Sequence, residues 1–419
     1  MYKILIIPDN KLWVLGTISY KIKQYNKSLS ITVLDFEQVR FFIKNGYSFD
    51  HFDIIHMSTN HVFLELLQYF NGKPIVTSIF HLENDIDEVK YIIANSNAIM
   101  TGAISYHKIL EQLSVINSHI FLYNLGVDCN IFKTTSINGK FSIRQNLKIP
   151  VNAIVIGFSA KKSSNTSQRK GVDTLQQALI KLKNLYPDFY VIITGSGWEV
   201  YANALENIGI NVVYTGFLLT AKEVATIYQC LDFYWITSRI EGGPMTLLEA
   251  MSCGVCCITT PVGIVPEVIQ EGENGYVVDF DDSDTFADTT YNLIPEIEKR
   301  NSIALNARNF VYTHRQWKDT YSNMTSMYEA AINDYNQKNT ENVNGNNTNP
   351  VKFLKFSSFC TKAFGASNYG VFCNSTNKPF TAWCHVILGL FLAPHHKSMW
   401  KNLYLILPKS VKHLIKGIK

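Results

Sequence analysis

Twelve short apolar runs, set in two series of six, constrain this chain more than any other feature. The first series is Lys3 to Pro8, Ile31 to Phe36, Phe52 to Ser58, Pro74 to His81, Ala98 to Ala103 and His119 to Val127. The second is Ala153 to Ala160, Phe189 to Gly197, Asn211 to Phe217, Leu231 to Ser238, Gly254 to Gly263 and Gly275 to Phe280. Runs of this length, apolar at consecutive positions and rich in Val, Ile and Phe, suit strands buried on both faces of a parallel sheet. Helical segments separate them, clearest at Val172 to Leu185, where Leu175, Ala178, Leu179 and Leu182 share one face. Repeated strand–helix alternation builds parallel sheets through crossover helices. The expected fold class is therefore α/β, as two Rossmann-like doubly wound domains facing across a cleft.

A chain of 419 residues is long enough for two separate cores. The polar stretch 133–150, ending in Pro150, marks the boundary between a first domain at 1–140 and a second at 141–315. Residues 316–337 read as a C-terminal helix packing back on the first domain. The Asn-rich stretch 338–350 is too polar to bury a core and reads as a linker. Residues 351–419 form a basic, aromatic extension.

Charge is divided unevenly. The net charge of +4 is the sum of +10 over residues 342–419, which hold ten lysines and no Asp, Glu or Arg, and −6 over residues 1–341. Near the end, Val411, Leu414, Ile415 and Ile418 fall at helical spacing opposite Lys409, Lys412, Lys416 and Lys419. That pattern suits an anionic membrane surface better than nucleic acid. The apolar segment Ala382 to Ala393 is too short to span a bilayer. The eight cysteines lack the spacing of a disulfide framework or a zinc site and read as buried core residues of a reducing compartment. Met1 to Pro8 begins a strand rather than a signal peptide, so the expected location is cytoplasmic, with peripheral attachment to the inner face of a membrane.

The chemistry concentrates at Glu241-Gly-Gly-Pro-Met-Thr-Leu-Leu-Glu249, between a buried strand and an apolar helix. Ligands of open α/β sheets bind at such strand-to-helix turns. Gly242 and Gly243 admit close backbone approach, Pro244 suits the first helical position, and the backbone N–H groups around Gly243, Met245 and Thr246 can receive a diphosphate at the helix N-terminus. A carboxylate beside a phosphate is repelled, so the two glutamates suit sugar hydroxyls. Glu249 lies inside the helix and faces either the same cleft or solvent.

These motifs resemble the retaining GT-B fold glycosyltransferases of family 4, the glycosyl transferases group 1, over about residues 1–335. The resemblance rests on Ile156-Gly-Phe-Ser-Ala-Lys161, Arg169-Lys-Gly171, Glu241 to Glu249, Glu249-Ala-Met-Ser-Cys-Gly254, Pro261-Val-Gly to Pro266-Glu-Val-Ile269 and Asn274-Gly-Tyr-Val-Val278, in the family's order. Lys161 stands where the family carries arginine, and Asn124-Leu-Gly-Val-Asp128 replaces its Pro-Asn-Gly-Val-Asp segment. The resemblance implies an acceptor domain followed by a donor domain. It implies that Lys161 and Lys170 neutralise the leaving diphosphate, with Arg169 beside them, that Glu241 binds donor-sugar hydroxyls and that Glu249 binds the ribose. His81 would position the sugar, and Gly16 stands where the family has a glycine-rich loop.

The implied activity is transfer of a sugar, with retained configuration, from a UDP- or GDP-sugar to a hydroxyl of a glycan or lipid-linked acceptor. The alternatives are a non-catalytic glycan-binding or membrane scaffold, or a phosphorylase or synthase of the same fold. No metal or other cofactor is expected. Asp85-Ile-Asp87 and Asp279-Phe-Asp281 match a short metal-binding pattern but sit where Asp ordinarily caps a helix.

Overall fold

The computed structural model of the protein describes residues 1–81, 86–114, 119–162 and 166–343. Asp85, the Asn-rich stretch from 344 onward and the basic extension with its expected membrane-facing helix lie outside the described residues. Met1–Phe63 and Gly72–Tyr335 form one compact unit that contains both sheets.

The first half alternates β1 (Lys3–Ile7), α1 (Val14–Tyr25), β2 (Ser30–Val33), α2 (Phe36–Lys44), β3 (Ile54–Met57), α3 (Asn60–Leu66), β4 (Ile75–Ser78), α4 (Ile86–Ala94), β5 (Ala98–Thr101), α5 (Ile104–Leu113) and β6 (His119–Leu122). After α6 (Ile137–Asn146), the second half runs β7 (Ile154–Ser159), α7 (Thr166–Arg169), α8 (Val172–Leu185), β8 (Phe189–Thr194), α9 (Glu199–Asn207), β9 (Asn211–Gly216), α10 (Ala221–Tyr228), β10 (Phe233–Ile236), α11 (Met245–Ser252), β11 (Cys256–Thr259), α12 (Val265–Val268), β12 (Tyr276–Val277), α13 (Ser283–Leu293) and α14 (Ile297–His314). Two more helices follow, α15 (Trp317–Thr320) and α16 (Thr325–Val343).

Both sheets have six strands, ordered β2-β1-β3-β4-β5-β6 and β12-β11-β10-β7-β8-β9. Among the described residues every strand pair is parallel, and β3, β5, β10, β11 and residues 4–7 of β1 are buried without alternation, as helices on both faces require. Chain order reverses between β1 and β3 in the first sheet and between β7 and β10 in the second. These are the switch points where crossover helices diverge and leave a crevice at the carboxyl ends of the strands.

Some boundaries differ from those the sequence suggests. The sixth apolar run ends as a strand at Leu122 instead of Val127. The polar stretch 133–150 is not a loop throughout, because Ser136 caps α6 by accepting the Gly139 N–H at 3.1 Å. The C-terminal helix expected over residues 316–337 is broken into α15 and α16. Asn26 explains the break: its amide donates to the Tyr321 carbonyl at 2.7 Å and accepts the Met324 N–H at 2.9 Å, so the backbone between the two helices bonds to α1.

His56 of β3 is fully buried. Its Nδ1 lies 2.9 Å from the Tyr328 hydroxyl of α16 and its Nε2 2.8 Å from Ser78 Oγ of β4. Burial pushes the imidazole pKa down to about 3. A histidine held neutral in the folded state and free to charge when unfolded contributes stability that is present above its unfolded pKa and lost as pH falls toward the folded one. Urea midpoints should therefore decline from about pH 6.5 downward, and His56→Gln should flatten that decline; an unchanged slope in the variant would exclude this origin.

Candidate functional site

At the switch point of the second sheet, the loops after β7 and β10 are bonded to each other. The Arg239 N–H donates to the Arg169 carbonyl at 2.8 Å, and Thr237 Oγ1 donates to the Lys170 carbonyl at 2.9 Å. Gly171 makes the approach possible. Its φ is +58°, and a Cβ there would lie 2.0 Å from the Thr237 carbonyl oxygen. Arg239 adds a further tie, with Nε on Asp281 Oδ1 at 2.7 Å, Nη2 on Asp173 Oδ2 at 2.7 Å and Nη1 on the Gln168 carbonyl at 2.9 Å. Asp281 of the Asp279–Asp281 pair is thus engaged by an arginine and by Thr174.

Glu241 is held by this scaffold and is buried. Its Oε1 accepts from Lys170 Nζ and, at 2.9 Å, from Ser238 Oγ, while Oε2 faces Arg169 Nη1 at 3.8 Å. Lys170 and Arg169 thus both face one buried carboxylate where the strands end.

The first half reaches the same place. The Tyr106 hydroxyl of α5 donates to the Glu241 carbonyl at 2.8 Å. A Cβ on Gly242 would lie 2.0 Å from the Phe80 carbonyl oxygen and 2.7 Å from His81 Nδ1, and one on Gly243 would lie 2.1 Å from Leu125 Cδ1. Gly242 is therefore required by backbone of the first half packing against it, and Gly243 makes room for the Leu125 side chain. Glu267 of α12 makes a second crossing, accepting the Ile104 N–H of α5 at 2.5 Å, with Arg315 Nη2 at 3.5 Å from its other oxygen.

Lys170, Arg169, Glu241, Gly242, Gly243 and His81 thus converge. Pro244 is the N-cap of α11, one residue before the first helical position expected of it; Met245 starts the helix and is buried, and Thr246 is half-buried. Three other candidates have other neighbours. Glu249, half-buried in α11, accepts from the Tyr228 hydroxyl at 3.2 Å, and burial pushes its carboxyl up to about 8. Lys161 sets its ammonium over the Trp13 ring, 3.8 Å from the centroid. Gly16 lies inside α1 rather than in a loop, and the space of its Cβ is taken by the Lys11 carbonyl oxygen at 2.4 Å.

Sequence reasoning passed over Ser238, Tyr106, Arg239, Tyr228 and Trp13. Ser238 ends the β10 run, which was signal enough. Tyr106 and Trp13 act on the second half from the first, a relation no local pattern encodes.

Residues 140–310 match the family model described as glycosyl transferases group 1. Among similar curated proteins, N-acetyl-alpha-D-glucosaminyl L-malate synthase of Bacillus anthracis is 30% identical over 173 residues, 41% of this chain and 45% of that protein. D-inositol 3-phosphate glycosyltransferase of Corynebacterium urealyticum is 25% identical over 256 residues, 58% of each chain. The chain spans about half the length of the curated relatives it matches. Among solved structures, Anabaena Alr3699/HepE in complex with UDP and glucose aligns with a TM-score of 0.66 at 17% identity, covering 79% of this chain and all of that one. Sucrose-phosphate synthase of Thermosynechococcus elongatus aligns with a TM-score of 0.65 at 15% identity, covering 78% and 98%. At such identities the likeness is one of fold, two parallel sheets in the GT-B arrangement.

Proposed function

Because residues 140–310 are a glycosyl transferases group 1 domain set in a GT-B fold, we propose that this chain is a retaining glycosyltransferase. It moves a sugar from a UDP- or GDP-sugar to a hydroxyl of a glycan or lipid-linked acceptor. The observation that carries this reading is the Glu241 carboxylate held by Lys170 and Ser238 with Arg169 beside it, at the switch point of the second sheet.

The chemistry follows from those groups. As the bond between the sugar's anomeric carbon and the diphosphate breaks, negative charge builds on the leaving phosphate oxygen. Lys170 and Arg169 lie where that charge would develop and stabilise it without reorganisation. Glu241, with lone pairs beyond those its neighbours occupy, accepts hydrogen bonds from sugar hydroxyls and fixes the ring. The acceptor oxygen bonds the anomeric carbon on the face the phosphate leaves, and its proton passes to the departing phosphate oxygen. Glu249, about one turn along α11, binds the ribose, with the Tyr228 hydroxyl orienting its carboxyl. Cationic side chains do the electrostatic work here, and no metal is assigned to the reaction.

The HepE structure holds UDP and glucose, which makes UDP the first nucleotide to test. Thermal-shift screening against UDP, GDP and ADP should single out one of them, since a ligand that binds the folded state raises its stability by about 2.7 kcal/mol at a hundredfold excess over Kd. No shift with any nucleotide, or an inverted linkage in the product by NMR, would contradict the proposal.

A further inference from the structure

We propose that the indole face of Trp13 is a binding surface for a pyranose ring of the acceptor, and that Lys161 is its removable cover. The proposal rests on the donor reading above and adds Lys161 to the cations that meet the donor diphosphate. Trp13 follows β1, at the switch point of the first sheet, where the crevice at the carboxyl ends of the strands opens.

The loop that presents it is built rather than loose. Trp13 N–H donates to the Asn10 carbonyl at 3.3 Å, and Leu12 N–H donates to Asn10 Oδ1 at 2.9 Å. Gly16 lets this loop fold onto the first turn of α1, since any side chain there would meet the Lys11 and Asn10 carbonyl oxygens at 2.4 and 2.6 Å. Held this way, Trp13 is still 43% exposed, with exposed Leu12 and Val14 on either side. A large aromatic ring fixed in the open beside a site for sugars suits the apolar C–H face of a pyranose.

What lies on the ring comes from the other sheet. Lys161 follows β7, and its ammonium sits 3.8 Å from the Trp13 centroid. The backbone behind it is anchored: the Ala160 carbonyl accepts from Trp198 Nε1 at 2.6 Å, and Gly195 at φ +118° packs where a Cβ would lie 1.9 Å from that oxygen. Lys161 therefore swings by its side chain alone. Its two partners, the indole face and a donor diphosphate, cannot be served together. An ammonium is held by a ring only through the quadrupole, whereas phosphate oxygens offer full charges and charge-assisted hydrogen bonds. The diphosphate wins the ammonium, and the ring is laid bare for the acceptor sugar.

Acrylamide quenching of tryptophan fluorescence tests this, with the nucleotide selected by thermal shift as the probe. Adding it should raise the quenching constant of the wild type. Trp13→Phe should show no rise, and Lys161→Met should start at the raised value. With nucleotide present, methyl α-D-glucopyranoside or methyl α-D-mannopyranoside should lower quenching in the wild type but not in Trp13→Phe. A thermal shift without any change in quenching overturns the cover and leaves the donor reading intact. Quenching that rises but responds to neither pyranoside overturns the sugar surface. No thermal shift with any nucleotide overturns the donor reading and this proposal together.

Discussion

Glu241→Gln is expected to lower sugar transfer about 10²- to 10³-fold, the loss seen when one preorganised electrostatic group is removed from a transition-state site, about 2.7–4 kcal/mol. The side chain keeps its shape, so the loss isolates charge. Glu241 is buried, and its Oε1 is the meeting point of Lys170 and Ser238. An amide there turns either a weaker acceptor or an N–H donor toward Lys170, so the lysine loses its charged partner and its fixed direction. Binding of the free nucleotide diphosphate should change little, because in the proposed site the phosphates are met by Lys170 and Arg169 rather than by the carboxylate. Initial rates against donor concentration, with the melting temperature of the variant as a folding control, measure this. A folded variant that keeps a tenth or more of the wild-type rate would remove Glu241 from the chemistry.

Arg144→Met should cost about 3–5 kcal/mol of stability, the range for removing one partner of a buried ion pair. Arg144 is buried on α6 and saturates its guanidinium. Nε and Nη2 donate to the Cys230 carbonyl at 3.0 and 2.9 Å, Nη1 to the Val151 and Ala153 carbonyls at 2.7 and 2.9 Å, and Nη2 to Asp232 Oδ2 at 2.8 Å. Methionine fills much of the volume but leaves three carbonyls unserved and takes one of two donors from Asp232 Oδ2, which keeps the Val155 N–H at 2.9 Å. Burial alone would push the Asp232 carboxyl up; Lys140 and Arg144 outweigh it and hold the carboxyl below its usual range. A depressed carboxylate contributes stability above its unfolded pKa, near 4, that fades as pH falls through the folded value. The variant should therefore lose stability at neutral pH and depend less on pH on the acid side. Urea unfolding followed by tryptophan emission gives both quantities, and a loss under 1 kcal/mol would show that Lys140 suffices.

How much of this was legible in the residues differs between the sheets and the site. Consecutive burial wrote each strand into its own few residues, so Ile4–Ile7 or Phe233–Ile236 could be read in place. Strand order could not, because it depends on which edge each crossover takes, and only the order puts Lys170 next to Glu241 across 71 positions. The Glu241–Gly243 turn was readable because its glycines are a local demand, even though the atoms making that demand, Phe80 and Leu125, are far away in sequence. Lys161 and Glu249 illustrate the limit. Their residue types and spacing matched a motif, yet their present partners, Trp13 and Tyr228, belong to segments with no marked pattern.

The helices after α14 have a consequence for synthesis on the ribosome. Tyr321 bonds to Asn26, Tyr328 to His56 and Asp334 to Asn97, so part of the cover of the first sheet is supplied by residues 321–334. The second sheet draws on one unbroken stretch from β7 to α14. Domains ordinarily fold in the order they emerge, at about 5–20 residues per second. Here the half that emerges first is finished last: it waits some 270 residues beyond His56 for the tyrosine that closes over it, an interval on the order of tens of seconds at that pace. During that time its apolar strands are without their final cover, which makes the nascent first half the natural client for a chaperone.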